Sequence, residues 1–267
     1  LIRFRDRARS FIAFFSLVLG ACTSPRRAPV VEIDVDRLPK TDRGLPGAGP
    51  IRREPWFRDL WEERHAQWAA RVDSDRGAVV FAGDSITQNW GDDLGGSFAD
   101  LKVANRGIGG DTTRGVLVRL SHDVLRLQPR AVVILAGTND IELQVDVGTI
   151  AGNMDRILTA LEASDPAMPI VLCELFPSSA SEHRPRERIA DVNRRYADLA
   201  KAHPRVTLVP TWAIFANERG DASLAEFPDL LHPNEAGYRR WASALRPVLA
   251  QVLATRPAPV RAAPSAH

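Results

Sequence analysis

Five short, mostly unbroken apolar runs constrain this chain more than any other feature of it: AVVFAG at 78–83, LKVAN at 101–105, AVVILAG at 131–137, PIVLCELF at 169–176 and VTLVP at 206–210. A strand with one wet face alternates apolar and polar residues, whereas a run that stays apolar belongs to a strand covered on both faces. Between the runs lie helical patterns, TTRGVLVRLSHDVLRL at 112–127, VGTIAGNMDRILTALEA at 147–163 and ERIADVNRRYADLAKA at 187–202. In the first of these, Leu117, Leu120, Val124 and Leu127 recur at three- and four-residue steps and form one buried stripe. Strands alternating with helices require a parallel sheet with right-handed crossovers, so a three-layer α/β sandwich is expected. Two further helices flank the unit. One places Phe57, Leu60, Trp61 and Trp68 on a face read as core packing, and the other carries a stripe of Trp241, Leu245, Val248, Leu249 and Val252.

A composition of 45% hydrophobic and 25% charged residues over 267 positions is that of a globular chain and excludes a disordered or fibrous one. The ends read differently from the middle. Arg3, Arg5, Arg7 and Arg9 precede FIAFFSLVLGA, an apolar stretch too short to span a bilayer, which is the pattern of a secretory signal. LGAC at 19–22 follows it and resembles the bacterial lipobox, in which the signal is cut before the cysteine and the cysteine is acylated. The expected organisation is therefore a signal over 1–21, a lipid on Cys22, a Pro- and Gly-rich flexible tether over 22–50, a folded body over 51–255 and a disordered tail over 256–267. Export across the inner membrane and anchoring to a membrane follow. Thr23 stands where an aspartate would retain the protein, so in a Gram-negative cell the periplasmic side of the outer membrane is expected.

Removing residues 1–21 takes away four arginines and one aspartate, which turns the formal charge from +2 to −1. The basic balance thus belongs to the signal, and no nucleic-acid partner is implied. Cys173, inside a strand run, is expected to be an inert buried thiol.

In an open parallel sheet, ligands sit beyond the carboxyl ends of the strands. After the first run comes Asp84-Ser85, after the second RGIGGDTT with Gly107, Gly109 and Gly110, after the third Thr138-Asn139-Asp140, and beyond the fifth PDLLHPN with Asp229 and His232. A serine hydroxyl needs an imidazole to take its proton, and the imidazole needs a carboxylate to fix its tautomer. Asp229 and His232, three residues apart, fit that pair. The oxyanion of an acyl-transfer intermediate needs preorganised donors, for which the Ser85 N–H, the Gly110 N–H and the Asn139 amide are the candidates. Other signals are weak. Gly107 and Gly109 begin a dinucleotide-binding spacing, but Thr112 stands where its third glycine belongs and no phosphate-binding lysine follows. His65 and His122 lie within helix patterns, His183 in a polar loop, His203 at a helix end and His267 in the tail. No His/Glu metal spacing is present, and neither metal nor cofactor is expected.

GDSIT, NRGIGGDTT, GTND and DLLHPNEAGY, in that order, resemble the four sequence blocks of the SGNH-hydrolase (GDSL-esterase) superfamily, in its platelet-activating-factor acetylhydrolase-like branch. The resemblance implies a flavodoxin-like five-stranded sheet of order 2-1-3-4-5, with Ser85 as nucleophile, Gly110 and Asn139 completing the oxyanion hole, His232 as base and Asp229 as its partner. Ile86 replaces the leucine of many members. A serine esterase working through an acyl-enzyme is therefore expected. The loop after the fourth strand, PSSASEHRPRE, is polar nearly throughout, and Trp212, Ile214, Phe215 and Phe227 before the Asp/His pair serve equally well as packing. This balance favours a small acyl pocket and acetyl esters on carbohydrate over lipids. A lysophospholipase or thioesterase, or an acetyltransferase on the same fold, are the enzymatic alternatives. A non-catalytic glycan-binding lipoprotein would have no use for the Ser85, Asp229 and His232 set.

Overall fold

The strands β1 (Val79–Gly83), β2 (Val103–Gly107), β3 (Ala131–Leu135), β4 (Ile170–Cys173) and β5 (Val206–Val209) form one parallel sheet in the order β2-β1-β3-β4-β5, in a computed structural model that describes residues 34–256. Registers such as Val79↔Val103, Val79↔Ala131, Val132↔Ile170 and Ile170↔Val206 align their carboxyl ends along one edge. Every residue of β1, β3 and β4 is buried, as continuous apolar runs demand. β5 closes the sheet and is only partly covered. The fold class and strand order are those expected from the sequence.

The helices are α1 (Pro55–Ala69), α2 (Val72–Asp75), α3 (Ser85–Gln88), α4 (Thr113–Asp123), α5 (Thr138–Glu142), α6 (Val147–Ser164), α7 (Arg186–Ala202), α8 (Thr211–Phe215) and α9 (Glu235–Ala254). α6 packs against both α4 and α7. α9 presents Trp241, Leu245 and Leu249 to the core, and Trp241 stacks on Trp90 with ring centroids 4.5 Å apart. It continues through Pro247. Phe215 and Phe227 are buried and pack edge-on, so they are core and not an acyl wall. Cys173 is fully buried, and burial pushes its thiol up to about 12, which makes it inert. Among the described residues no helix is long and apolar enough to cross a membrane.

The described part of the expected tether is not free. Val35 and Leu38 are buried with Ile51, Phe57, Trp61, Trp68, Ile108 and Val118 in a second, smaller apolar cluster. Long-range side chains satisfy its backbone: Trp61 Nε1 donates to Val35 O at 2.7 Å, Arg114 to Pro46 O and Gly49 O, and the Asn153 amide exchanges two hydrogen bonds with Ala48. A segment without an apolar period still packs when other elements meet its polar groups. The body thus begins ahead of residue 51, and Arg256, assigned to the tail, bonds Pro129 O and pairs with Asp165 at 2.6 Å. The signal, Cys22 and residues 257–267 lie outside the described residues.

Candidate active site

The strand order reverses about β1, so the loops leaving β1, β2 and β3 converge at one place on the carboxyl edge. β1 runs directly into α3. Asp84 caps that helix, its Oδ1 accepting from Ile86 N at 3.0 Å, and Ser85 occupies the first helical position. α3 lies so close to β2 that a Cβ on Gly107 would stand 2.3 Å from Gln88 N, which is why glycine ends that strand. From the other side Tyr238 of α9 donates its hydroxyl to Ile86 O at 2.8 Å. Ser85 is therefore fixed from both flanks while remaining partly exposed.

His232 Nε2 lies 2.8 Å from Ser85 Oγ, and His232 Nδ1 lies 2.6 Å from Asp229 Oδ2. A carboxylate accepts only, so Nδ1 carries the proton and Nε2 accepts from the Ser85 hydroxyl. Asp229 also builds the loop it sits in. Its Oδ1 accepts from Leu231 N at 3.0 Å and His232 N at 2.7 Å, and Leu230, next after Asp229, takes φ +59°, a left-handed conformation costly for a branched side chain. Burial raises the Asp229 carboxyl, but the bonds from the His232 ring and from the two N–H groups outweigh it and hold the group below its ordinary value. The pair is open to solvent, with 29% of the His232 side chain and 56% of the Asp229 side chain exposed.

The glycine loop is a tight turn closed by Asp111 N donating to Ile108 O at 3.1 Å. Gly110 occupies its third position with φ +82°, the left-handed geometry of a type II turn. Gly109 N is taken by Gln88 Oε1 at 2.6 Å. Among the described residues, neither Ser85 N nor Gly110 N donates to a protein acceptor. Asn139, on α5 and buried, spends one Nδ2 hydrogen on Asp111 O at 2.9 Å and keeps the other. Three donors, from the start of α3, the glycine turn and α5, thus have no protein acceptor of their own. Asp111 anchors the turn from below, bonded to the fully buried Arg119, which also donates to Gly83 O. The structure joins Ser85, His232 and Asp229 in one chain of hydrogen bonds, and it ties Asn139 to Asp111, the residue that follows Gly110.

Burial pushes three neighbouring carboxyls up: Asp84 and Asp140 to about 7 and Asp111 to about 6, against the opposing pull of Ile86 N on Asp84, Thr113 on Asp140 and Arg119 on Asp111.

Several neighbours of the site carry no sequence signal. Arg52 Nε donates to Gly110 O at 2.8 Å. Arg184, from the loop that is polar nearly throughout, is 5% exposed and its Nη2 lies 3.3 Å from Asn139 Oδ1. Trp56 is 51% exposed, and its Cη2 is 2.6 Å from where a Cβ on Gly110 would be. Leu60 stands similarly 3.3 Å from a Cβ on Gly109, a position 3.7 Å from Ser85 Cβ. No spacing rule reaches these residues, because they come from α1, its approach and a distant loop. His65, His122 and Asp123, expected only as helix residues, also come together with ligand atoms within 4.8 Å. His122 is already engaged there, with Nδ1 2.9 Å from Asp123 Oδ1 and Nε2 2.8 Å from Arg126 Nη1.

The model of the GDSL-like Lipase/Acylhydrolase family matches residues 81–240. Platelet-activating factor acetylhydrolase IB subunit alpha2 from Homo sapiens is 28% identical over 206 residues, covering 74% of this chain and 87% of that protein. A solved structure from Streptococcus pneumonia, provisionally described as a platelet activating factor, superposes with TM-score 0.68 at 26% identity over 73% of this chain and 95% of its own. The acetylxylan esterase Axe2 from Geobacillus stearothermophilus shares the fold, with TM-score 0.54 at 22% identity over 66% of this chain and 94% of its own.

Proposed function

The chain belongs to the GDSL-like lipase/acylhydrolase family and is a carboxylic ester hydrolase, and from that premise we propose that it removes short acyl groups, acetyl above all, from carbohydrate esters. The observation that carries the catalytic part is the continuous chain Asp229–His232–Ser85 at 2.6 and 2.8 Å beside three free donors. Ser85 Oγ attacks the ester carbon while its proton passes to His232 Nε2. Asp229 stabilises the imidazolium, and the N–H groups of Ser85 and Gly110 with the Asn139 amide bind the oxyanion. Collapse breaks the C–O bond to the alcohol, which leaves with the proton from His232. Water, deprotonated by the same nitrogen, then cleaves the acyl-enzyme and releases the carboxylate.

The short-chain reading rests on the narrow space beside Gly109, where a Cβ would lie 3.3 Å from Leu60 and 3.7 Å from Ser85 Cβ, and on the solvent-open Asp229–His232 pair. The half-exposed Trp56 indole offers a flat apolar face at the rim, suited to a sugar ring. Two similar proteins carry acetyl-ester names, an acetylhydrolase and an acetylxylan esterase. The test is kcat/KM over aryl esters of two to twelve acyl carbons together with acetate release from acetylated saccharides. An optimum at two to four carbons with acetate release is expected, and an optimum at eight or more would replace the reading with a lysophospholipase or thioesterase.

Lipid attachment at Cys22, with display at the outer membrane of a Gram-negative cell, is part of the same proposal and is supported by the LGAC motif. Cys22→Ser should release active protein from membranes, and metabolic labelling that puts no lipid on Cys22 would remove the anchor.

A further inference from the structure

We propose that Arg52 and Arg184, bridged by Glu142, are positioning residues that set the two oxyanion donors outside the nucleophile's own loop. The inference rests on the reading of Gly110 and Asn139 as those donors. Arg52 reaches Gly110 from the approach to α1, its Nε donating to the Gly110 carbonyl at 2.8 Å, while its Nη2 bonds Glu142 Oε2. Arg184 arrives from the loop between β4 and α7. Its Nε lies 3.2 Å from Thr138 O and 3.1 Å from Thr138 Oγ1, its Nη1 2.7 Å from Glu182 O, and its Nη2 3.3 Å from Asn139 Oδ1 and 3.1 Å from the same Glu142 Oε2. One carboxylate oxygen at the end of α5 thus ties together the guanidinia behind both donors. The two side chains are nearly buried, at 10% and 6% exposure, whereas Glu142 is 32% exposed.

The physical consequence differs between the arms. For Gly110, the bond to its carbonyl opposes rotation of the peptide that follows it, and so restrains the turn in which Gly110 holds φ +82°. For Asn139 the effect is on the sense of the amide. With Nδ2 donating to Asp111 O and Oδ1 accepting from Arg184, a flip would set two oxygens face to face on one side and two donor groups on the other. The guanidinium therefore keeps the remaining Nδ2 hydrogen on the oxyanion side. A cation at Oδ1 also polarises the amide and strengthens that donor. Arginine suits this work because its planar fork serves several acceptors at fixed angles and stays charged.

A residue that acts through Asn139 must lose its effect when Asn139 is gone, and this defines the experiment. Arg184→Met and Arg52→Met, with rates counted per serine titratable by a fluorophosphonate, should lower kcat about tenfold to hundredfold and about threefold to tenfold respectively, with KM changing less than about threefold. The inhibition constant of a trifluoromethyl ketone, which places an oxyanion in the hole, should rise in step with the fall in kcat. In an Asn139→Ala background Arg184→Met should cost less than about twofold more. Glu142→Gln, on the exposed bridge, repeats the cycle with a smaller effect and serves if the buried arginine cannot be replaced without unfolding. Equal losses in both backgrounds, or unchanged ketone affinity, would make these residues structural and overturn the proposal. If Asn139→Ala alone leaves kcat unchanged, the failure lies in the oxyanion reading itself.

Discussion

The acid–base arm and the oxyanion arm of the site are built in opposite ways. Asp229 is exposed and His232 half-buried; they stand three residues apart and hold each other through bonds that never leave one loop. Gly110 lies in the turn after β2 and Asn139 on α5 after β3. Asn139 is buried, and both are oriented by side chains 40 to 60 residues away: Arg52 lies 58 residues from Gly110 and Arg184 lies 45 from Asn139. A proton relay must follow a mobile proton and needs only local reach and tautomer control, which a short loop supplies. An oxyanion hole works by not reorganising, so its donors need rigid, many-sided support that only a packed interior provides.

The largest effect should come where the arms meet. Ser85→Ala is expected to lower kcat on the order of 10⁴ to 10⁶ with the fold intact, because the loss is chemical. Retention of a tenth of the parent rate, measured on protein whose circular dichroism is unchanged, would take Ser85 out of the role.

Asp229→Asn disturbs the exposed arm alone. Its expected cost is about 10³ to 10⁴ in kcat through the wrong imidazole tautomer, with almost no change in denaturation midpoint. On the buried arm, Asn139→Ala should cost about 10² to 10³ in kcat, yet also about 1–3 kcal/mol of stability, since Asp111 O and Arg184 lose a partner away from water. Parallel urea titrations separate the two. Equal stability losses would erase the contrast between an exposed relay and an interior hole.

The smallest test concerns the buried floor under both arms. The Asp84 carboxyl is raised from 3.8 to about 7 by burial, so the native protein binds a proton there that the unfolded chain has released. That contribution is fully present below pH about 4 and is lost as pH rises through about 7. Asp84→Asn stays neutral, so its stability relative to the parent should improve by on the order of 2–4 kcal/mol between pH 4 and 8 and level off above. A difference independent of pH would mean that Asp84 is ionised throughout.

How much of this was legible in the sequence follows the same division. The strand runs, the serine closing the first of them, the Gly109-Gly110 turn and the Asp229/His232 spacing are local patterns, and each survives reading one segment at a time. The reading of residues 22–50 as a flexible tether does not hold over the described part, 34–50, because that segment has no period of its own and its order comes from Arg114, Asn153 and Trp61 further along the chain. Arg184 carries no signal of its own in a loop that is polar nearly throughout, and only folding buries it against Thr138 and Asn139.

By itself, then, the sequence determined the α/β class, the edge on which chemistry would gather and the residue types that perform it, since periodicity and strand-end position are encoded in consecutive residues. Tertiary structure alone decided which charged side chains surround that edge, that Trp56 of α1 stands exposed at its rim, and that one carboxylate, Glu142, joins two arginines behind the donors. Those outcomes depend on which distant segments meet when the sheet closes. A long side chain's environment is set by that meeting, so no window of neighbouring residues contains it.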